Sequence, residues 1–176
     1  MTHLFILSLF TSTISNMILF DSKKETNLNS WVIVDDVVMG GRSAGSFHFN
    51  DVGNLVFKGD VSLKNNGGFS SIRYRFNPMY TSQYKKISIR LKGDGKAYQF
   101  RVKSSKYDSH VYRYKFQTTG DWQTIEIPFN EMQATFRGMR LNLPNFPGKL
   151  MEEVAFLISN KKEESFQLII DKISLL

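Results

Sequence analysis

Apolar and polar residues alternate with a period of two along most of the chain from residue 18 onward. In one clear segment, Ile72, Tyr74 and Phe76 alternate with Arg73 and Arg75. Successive side chains of a β-strand point to opposite faces of the sheet, so each such segment predicts a strand with one buried face. About ten short segments of this kind, with almost no helical periodicity, predict an all-β protein, an antiparallel β-sandwich of jelly-roll type.

The connections between these segments are rich in turn-forming residues. The sequence GDGK at 93–96 separates two alternating runs and predicts a hairpin turn, because Asp-Gly suits a turn that needs φ > 0. Pro128 predicts an edge strand or the end of a strand, since it has no N–H to donate to a neighbour. Residues 130–134 predict one helical turn capped by Asn130.

The composition is that of one folded domain. The 176 residues are 41% hydrophobic and 14% aromatic, which is enough for a packed core. The absence of cysteine excludes disulfide bonds and thiolate chemistry. The formal net charge of +7 favours encounters with anionic partners, and no apolar run reaches the roughly 20 residues of a membrane span.

The first 16 residues differ from the rest of the chain. An apolar run at 4–10 is followed by small polar residues, as in a signal peptide, but no Lys or Arg precedes it. Met17 lies directly before the first predicted strand and is an alternative start of translation. We therefore expect a single β-sandwich domain at 17–176, preceded by a signal peptide or an untranslated segment at 1–16. The protein would be exported if residues 1–15 are a signal peptide, and cytoplasmic if translation starts at Met17.

Two glycine pairs form the most distinctive motifs, VMGGRS at 38–43 and NNGGFSS at 65–71. Glycine reaches φ > 0 and lets another chain approach closely, while neighbouring Asp and Asn side chains bond backbone groups. In a structural interpretation, Asp36, Arg42, Asn65 and Asn66 satisfy buried backbone groups where strands pass between sheets.

In a functional interpretation, the two corners lie together at one rim of the sandwich and bind a partner. Met39 suits an adaptable apolar contact and Arg42 a bidentate contact with a carboxylate. The candidate partner-binding residues are Asp36, Met39, Gly40, Gly41, Arg42, Ser43, Asn65, Asn66, Gly67 and Gly68.

These motifs resemble the complex I intermediate-associated family, also described as the NADH:ubiquinone oxidoreductase intermediate-associated protein domain. The resemblance is carried by WVIVDDVVMGGRSAGSF, FKGDVSLKNNGGFSSIRYRF, KGDGKAYQFRVK, WQTIEIPF and the late FRG, and it covers roughly residues 19–176. It implies a galactose-binding-like β-sandwich and a non-catalytic role as an assembly factor or chaperone of respiratory complex I. Protein partners are then expected, among them subunits of a membrane complex, and no cofactor. The chain departs from the family at Val37, where a glycine is usual.

Motifs for catalysis and metal binding are incomplete. Residues 41–45 spell G-x-S-x-G, the hydrolase nucleophile elbow, but an alternating strand rather than a helix follows the serine. The GDGK turn lacks the spacing of a phosphate-binding loop. No series of calcium ligands is formed by the nearby carboxylates, Asp35, Asp36, Asp51 and Asp60. We therefore predict neither an enzyme nor a metal site.

Four alternating segments carry a pair of cations in their polar phase, which places each pair on one strand face. The pairs are Arg73 and Arg75, Arg90 and Lys92, Arg101 and Lys103, and Arg113 and Lys115. If the strands are neighbours, the eight cations form a basic face for an acidic protein, an acidic glycan or phospholipid headgroups. If the strands belong to different sheets, the set divides. A solvated strand face is the simpler alternative. Nucleic acid is disfavoured, because the aromatic residues at 112, 114 and 116 lie in the apolar phase.

The sequence thus predicts a binding module that assists complex assembly, with a carbohydrate-binding module as the alternative. Carbohydrate recognition needs exposed aromatic rings that stack on sugars. Trp31 and Trp122 both lie in strand-like segments, where burial is expected, and this weakens the alternative.

Overall fold

The computed structural model describes residues 16–176, which consist of thirteen β-strands and three short 3-10 helices. The residues at 1–15, where the signal peptide is predicted, lie outside the described part. The strands are β1 (Met17–Asp21), β2 (Trp31–Ile33), β3 (Ala44–Phe49), β4 (Leu55–Val61), β5 (Ser70–Tyr80), β6 (Lys86–Lys92), β7 (Ala97–Lys103), β8 (Val111–Gln117), β9 (Trp122–Pro128), β10 (Gln133–Phe136), β11 (Met139–Arg140), β12 (Leu150–Ile158) and β13 (Glu164–Leu175). The 3-10 helices are Asp36–Met39, Lys64–Asn66 and Phe129–Glu131.

The strands form two antiparallel sheets. The first sheet has the order β3-β4-β13-β6-β9, and β1 also pairs with β13. The second sheet has the order β11-β10-β8-β7-β12-β5-β2. The jelly-roll β-sandwich predicted from the period-two pattern is confirmed.

The core lies between the apolar faces of the two sheets. Phe57 and Leu168 from the first sheet belong to the same buried cluster as Ile72, Phe100 and Phe156 from the second. Their side chains are inaccessible to solvent. The arginines and lysines at alternate positions therefore face outward, as the strand periodicity requires.

The predicted hairpin at 93–96 is wrong, because β6 and β7 belong to different sheets. The segment crosses from one sheet to the other, and Asp94 fixes the crossing. Its carboxylate accepts hydrogen bonds from Tyr98 Oη in β7 (2.9 Å) and from the Gln167 N–H in β13 (2.9 Å), and it pairs with Lys96 Nζ (2.8 Å). Gly95 has the positive φ that the turn motif predicts.

Two local predictions around residue 130 have different outcomes. Pro128 is the last residue of β9, which is an edge strand, as predicted. The helical turn predicted at 130–134 is instead a 3-10 helix at Phe129–Glu131, so Asn130 lies inside it and does not cap it. Residues 133–136 are not helical, because they form β10, which pairs with β8 and β11.

Candidate functional site: a rim held by two carboxylates

The two glycine motifs meet at one rim of the sandwich, at 35–43 (the first corner) and 62–70 (the second corner). The first corner contains the 3-10 helix Asp36–Met39 and leads into β3 of the first sheet. The second contains the 3-10 helix Lys64–Asn66 and leads into β5 of the second sheet. The rim is therefore a place where the two sheets are joined.

Asp36 is the buried centre of the rim, with no side-chain surface exposed. Its Oδ1 accepts a hydrogen bond from the Ser43 N–H (2.9 Å), and its Oδ2 accepts from Ser43 Oγ, the Gly68 N–H (2.6 Å) and the Phe69 N–H (3.2 Å). Burial alone would raise the pKa of Asp36, but the Ser43 hydroxyl and the N–H groups of Gly68, Ser43 and Phe69 outweigh it, so the pKa is lowered. One ionised carboxylate thus ties both corners together.

In each glycine pair, one glycine adopts a positive φ and the other makes room for the Asp36 side chain. Gly40 and Gly68 have positive φ, at 88° and 128°, which glycine adopts without strain. Gly41 and Gly67 lack positive φ but lie against Asp36: a Cβ on Gly41 would overlap the carboxylate, and one on Gly67 would lie 2.6 Å from Oδ2. The second glycine of the first pair and the first of the second pair therefore make room for the buried acid.

Asp35 makes a second link between the sheets. Its Oδ2 accepts from the Gly45 N–H in β3 (2.7 Å), and its Oδ1 accepts from Ser70 Oγ in β5 (2.6 Å). Ser43 extends the network, because its Oγ accepts from the Ser62 N–H (3.0 Å). The backbone of both corners is therefore held in place from within.

The outer surface of the rim carries exposed apolar side chains beside polar ones. Val37, Val38 and Met39 are 60%, 74% and 62% exposed, and Leu63 in the second corner is 42% exposed. Exposed apolar residues that are contiguous in a rigid loop are typical of a contact surface. Met39 was among the predicted partner-binding residues, but neither valine was. Their signal was a run of three apolar residues that interrupts the period of two directly before a glycine pair.

The structural and functional interpretations of the corners apply to different residues. Asp36 satisfies buried backbone groups, as the structural interpretation predicts. Arg42, Asn65 and Asn66 do not fit that interpretation, because they are exposed at the surface. Asn65 and Asn66 have positive φ, at 56° and 59°, which asparagine tolerates better than most residues. Five of the predicted partner-binding residues are thus exposed, namely Met39, Gly40, Arg42, Asn65 and Asn66, and Gly67 is half-buried.

Ser43 does not have the surroundings of a nucleophile. Its side chain is almost entirely buried, its hydroxyl is bonded to Asp36, and β3 begins at the next residue. The exposed strand-to-helix turn of a nucleophile elbow is therefore lacking at this motif. Among residues 16–176, no group of three or more His, Asp or Glu side chains has metal-binding geometry.

The eight predicted cations do not share one face. The β6 pair, Arg90 and Lys92, belongs to the first sheet, and the other three pairs belong to the second. The face divides because the alternation of a strand sets which side chains point outward but does not set the sheet to which the strand belongs. Several cations have partners: Arg75 bonds Glu153 (2.9 Å), Arg90 bonds Asp171 (3.2 Å) and Lys103 bonds the Asp108 carbonyl (2.6 Å).

The two tryptophans have different environments. Trp31 is buried, as expected, and stacks on Tyr74 at 4.8 Å between ring centroids. The expected burial of Trp122 is wrong, because it begins the edge strand β9 and is 40% exposed on the outer face of the first sheet. The Arg90 guanidinium lies 5.1 Å from the centre of its ring.

Comparison with known proteins identifies the family of this chain. The family profile described as complex I intermediate-associated protein 30 (CIA30) matches residues 18–170. The chain belongs to this family. No match to a functionally curated protein was found.

The solved structures with the same fold include carbohydrate-binding modules and agarases. A family 11 module from Clostridium thermocellum in complex with a β-1,3-1,4-mixed-linked tetrasaccharide has a TM-score of 0.67 and 19% identity, with 94% of this chain and 97% of that chain covered. The family 11 module of a cellulosomal cellulase of the same organism has a TM-score of 0.68 and 18% identity, with 94% of this chain and 96% of that chain covered. A family 29 module has a TM-score of 0.55 and 9% identity, with 92% of this chain and 84% of that chain covered. At these identities the similarity shows the fold alone.

No helix within residues 16–176 is long and apolar enough to cross a bilayer.

Proposed function

We propose that this chain is a non-catalytic binding module that holds a protein partner at the rim during assembly of a membrane complex of the complex I type. Membership of the CIA30 family supports the assembly role. The observation that carries the proposal is the exposed apolar surface at Val37, Val38 and Met39, displayed on a backbone that buried Asp36 holds rigid.

The hydrogen bonds of Asp35 and Asp36 preorganise the rim for binding. A partner that binds a loop already fixed by hydrogen bonds does not have to supply the free energy of ordering it. Val38 and Met39 offer apolar area, and Met39 adapts its shape to an irregular surface. Arg42, exposed beside them, adds a donor for a partner carboxylate.

A crosslinked pull-down from the native cells, membranes included, tests the proposal. The double variant Val38→Ser, Met39→Ser should lose a defined set of proteins that the wild type captures, and this set should contain subunits of the NADH:ubiquinone oxidoreductase. Both side chains are exposed, so we expect the melting temperature to change by less than about 2 °C.

Val52→Ser is the matched control. Val52 is also exposed, at 69%, but it lies in the turn after β3, at the opposite end of that strand from the first corner. This variant should capture the same proteins as the wild type. If the rim variant also retains them, the proposal is wrong, and the two corners serve only to join the sheets.

Carbohydrate binding is the second candidate, and the exposure of Trp122 favours it. An exposed indole on a sheet face can stack on a sugar ring. Titration with mixed-linked glucan oligosaccharides should then change the tryptophan fluorescence, and Trp122→Ala should abolish the change. An unchanged spectrum at millimolar oligosaccharide would exclude a site for these glucans at Trp122.

A further inference from the structure

Three arginines form a row across the outer face of the second sheet. Arg101 in β7 lies directly opposite Arg113 in β8, and Ala155 in β12 lies opposite both Arg101 and Arg73 in β5. The row of Arg73, Ala155, Arg101 and Arg113 thus crosses four neighbouring strands. Since neighbouring strands are about 4.8 Å apart, the Cα atoms of the three arginines span about 14 Å of the sheet. We call Arg73, Arg101 and Arg113 the arginine row.

Carboxylates compensate little of this charge. Glu153 is buried and accepts from Arg75 at 2.9 Å, while Arg73 is farther away, at 3.8 Å. Within residues 16–176, neither Arg101 nor Arg113 has a carboxylate at ion-pair distance. Arg101 donates to the Gln99 side-chain oxygen (2.8 Å), and Arg113 donates to the Gly138 carbonyl (3.3 Å).

The row therefore reduces the stability of the empty protein. Like charges directly opposite one another on a sheet are destabilising. Burial of the Arg101 guanidinium, together with the charges of Arg113 and Arg73, lowers the pKa of Arg101 to about 10. An anion bound at the row would relieve this repulsion, and it would accept charge-assisted hydrogen bonds from the guanidinium donors that remain free.

The surroundings indicate which anion the row suits. Between the arginines the floor is Ala155, and the neighbouring residue on the same face of β12 is Leu157; both are nearly inaccessible to solvent. The row therefore offers no apolar anchor, whereas the centre of a protein interface is enriched in aromatic residues and poor in charge. Gln99 and Gln133 flank the row and can bond hydroxyl groups.

We propose that the arginine row binds an acidic oligosaccharide, with a carboxylate or sulfate group seated over Ala155 between the guanidinium groups of Arg73 and Arg101. This site lies on the sheet face, apart from the corners and from Trp122, and it does not depend on the proposed function. A rim that binds no protein would leave it intact.

Isothermal titration calorimetry at about 150 mM salt tests the site, because nonspecific surface attraction is largely screened there. One arm uses a galacturonate tetrasaccharide and the other a heparin-derived sulfated tetrasaccharide, which separates carboxylate from sulfate recognition. The wild type should bind at least one of them. Arg73→Gln should weaken binding about tenfold to a hundredfold, the effect of losing one charge-assisted contact.

Arg90→Gln is the matched control, because it removes the same charge from the first sheet. It should bind within about threefold of the wild type, since its side chain is 54% exposed and lies on the other sheet. Arg73→Lys keeps the charge but loses the planar fork, so it should bind more weakly than the wild type and more tightly than Arg73→Gln. A melting temperature close to that of the wild type would show that weaker binding by Arg73→Lys is not caused by unfolding.

Three outcomes would overturn the proposal. An equal loss in Arg90→Gln would mean that only net charge matters. Binding of a glutamate decapeptide or a single-stranded RNA, lost in Arg73→Gln, with no binding of either saccharide, would assign the row to another polyanion. Binding of none of these probes would make the row a solvated strand face.

Discussion

Replacing Asp36 with asparagine tests whether one buried carboxylate holds the two corners together. Asparagine has the same shape, but its amide nitrogen donates where a carboxylate oxygen accepted. If the amide oxygen takes the place of Oδ2, it keeps the bonds from Ser43 Oγ, Gly68 and Phe69, and the amide nitrogen then faces the Ser43 N–H. One buried donor loses its acceptor, and three charge-assisted bonds become neutral ones.

The loss can be estimated from these contacts. A hydrogen bond to a charged group contributes about 1.5–3 kcal/mol, and weakening the others adds to the loss, so we expect about 2–4 kcal/mol. For a domain of this size, that lowers the melting temperature by about 10 °C. Urea unfolding should show a lower midpoint with an unchanged m-value.

Acid titration gives a second, independent measure. Because the pKa of Asp36 in the folded state lies below its ordinary value of 3.8, the stability from its ionised form is fully present above that value. It is lost as the pH falls below about 4, through the folded-state pKa. The gap in unfolding free energy between the wild type and Asp36→Asn should therefore narrow as the pH falls.

Asp51→Asn is the control for this variant. Asp51 is an exposed carboxylate in the turn after β3, so the same chemical change should alter stability by less than about 0.5 kcal/mol. The reasoning would be refuted if Asp36→Asn were as stable as Asp51→Asn, or if its gap from the wild type did not depend on pH.

Gly41, Tyr98 and Arg101 each offer a further test of the contacts described above. Gly41→Ala should destabilise the fold by about 2–3 kcal/mol in urea unfolding, because its Cβ would overlap the Asp36 carboxylate; an effect below about 0.5 kcal/mol would contradict this. Burial and the charge of Asp94 raise the pKa of Tyr98, so stability should fall above about pH 10, where the unfolded chain ionises first, and fall less steeply in Tyr98→Phe. Arg101→Met should melt at or above the wild-type temperature at pH 7, since it keeps the packed stem and removes a repelled charge; a clear decrease would show that the Gln99 contact outweighs the repulsion.

Much of the fold could be predicted from the sequence, because apolar and polar residues alternate along a strand that has one buried face. The assignment of strands to the two sheets could not be predicted from the sequence. Residues 86–92 and 97–103 alternate equally well whether they form a hairpin or lie in opposite sheets, and the contacts of Asp94 that decide between these are made to residues far along the chain, such as Gln167. For the same reason the sequence left open whether the eight cations share one face, and in the structure they divide into six on the second sheet and two on the first.

The candidate site was partly visible in the sequence. The glycine pairs predicted the corners. Which glycine of each pair makes room for Asp36 depends on the position of that side chain, and the local sequence does not give this position. The exposure of Val38 and Trp122 was likewise hidden, because a large apolar residue near a strand is buried in most proteins.

At the rim, the residues that hold the fold together differ from those that are exposed to a partner. Asp35 and Asp36 bind only backbone groups and serines, whereas the side chains at 37–39 contribute almost nothing to the core. Residues 37–39 can therefore change through evolution with little effect on folding, and related chains can acquire different partners on the same scaffold. For a protein engineer, these three positions are a ready place to graft a new recognition sequence.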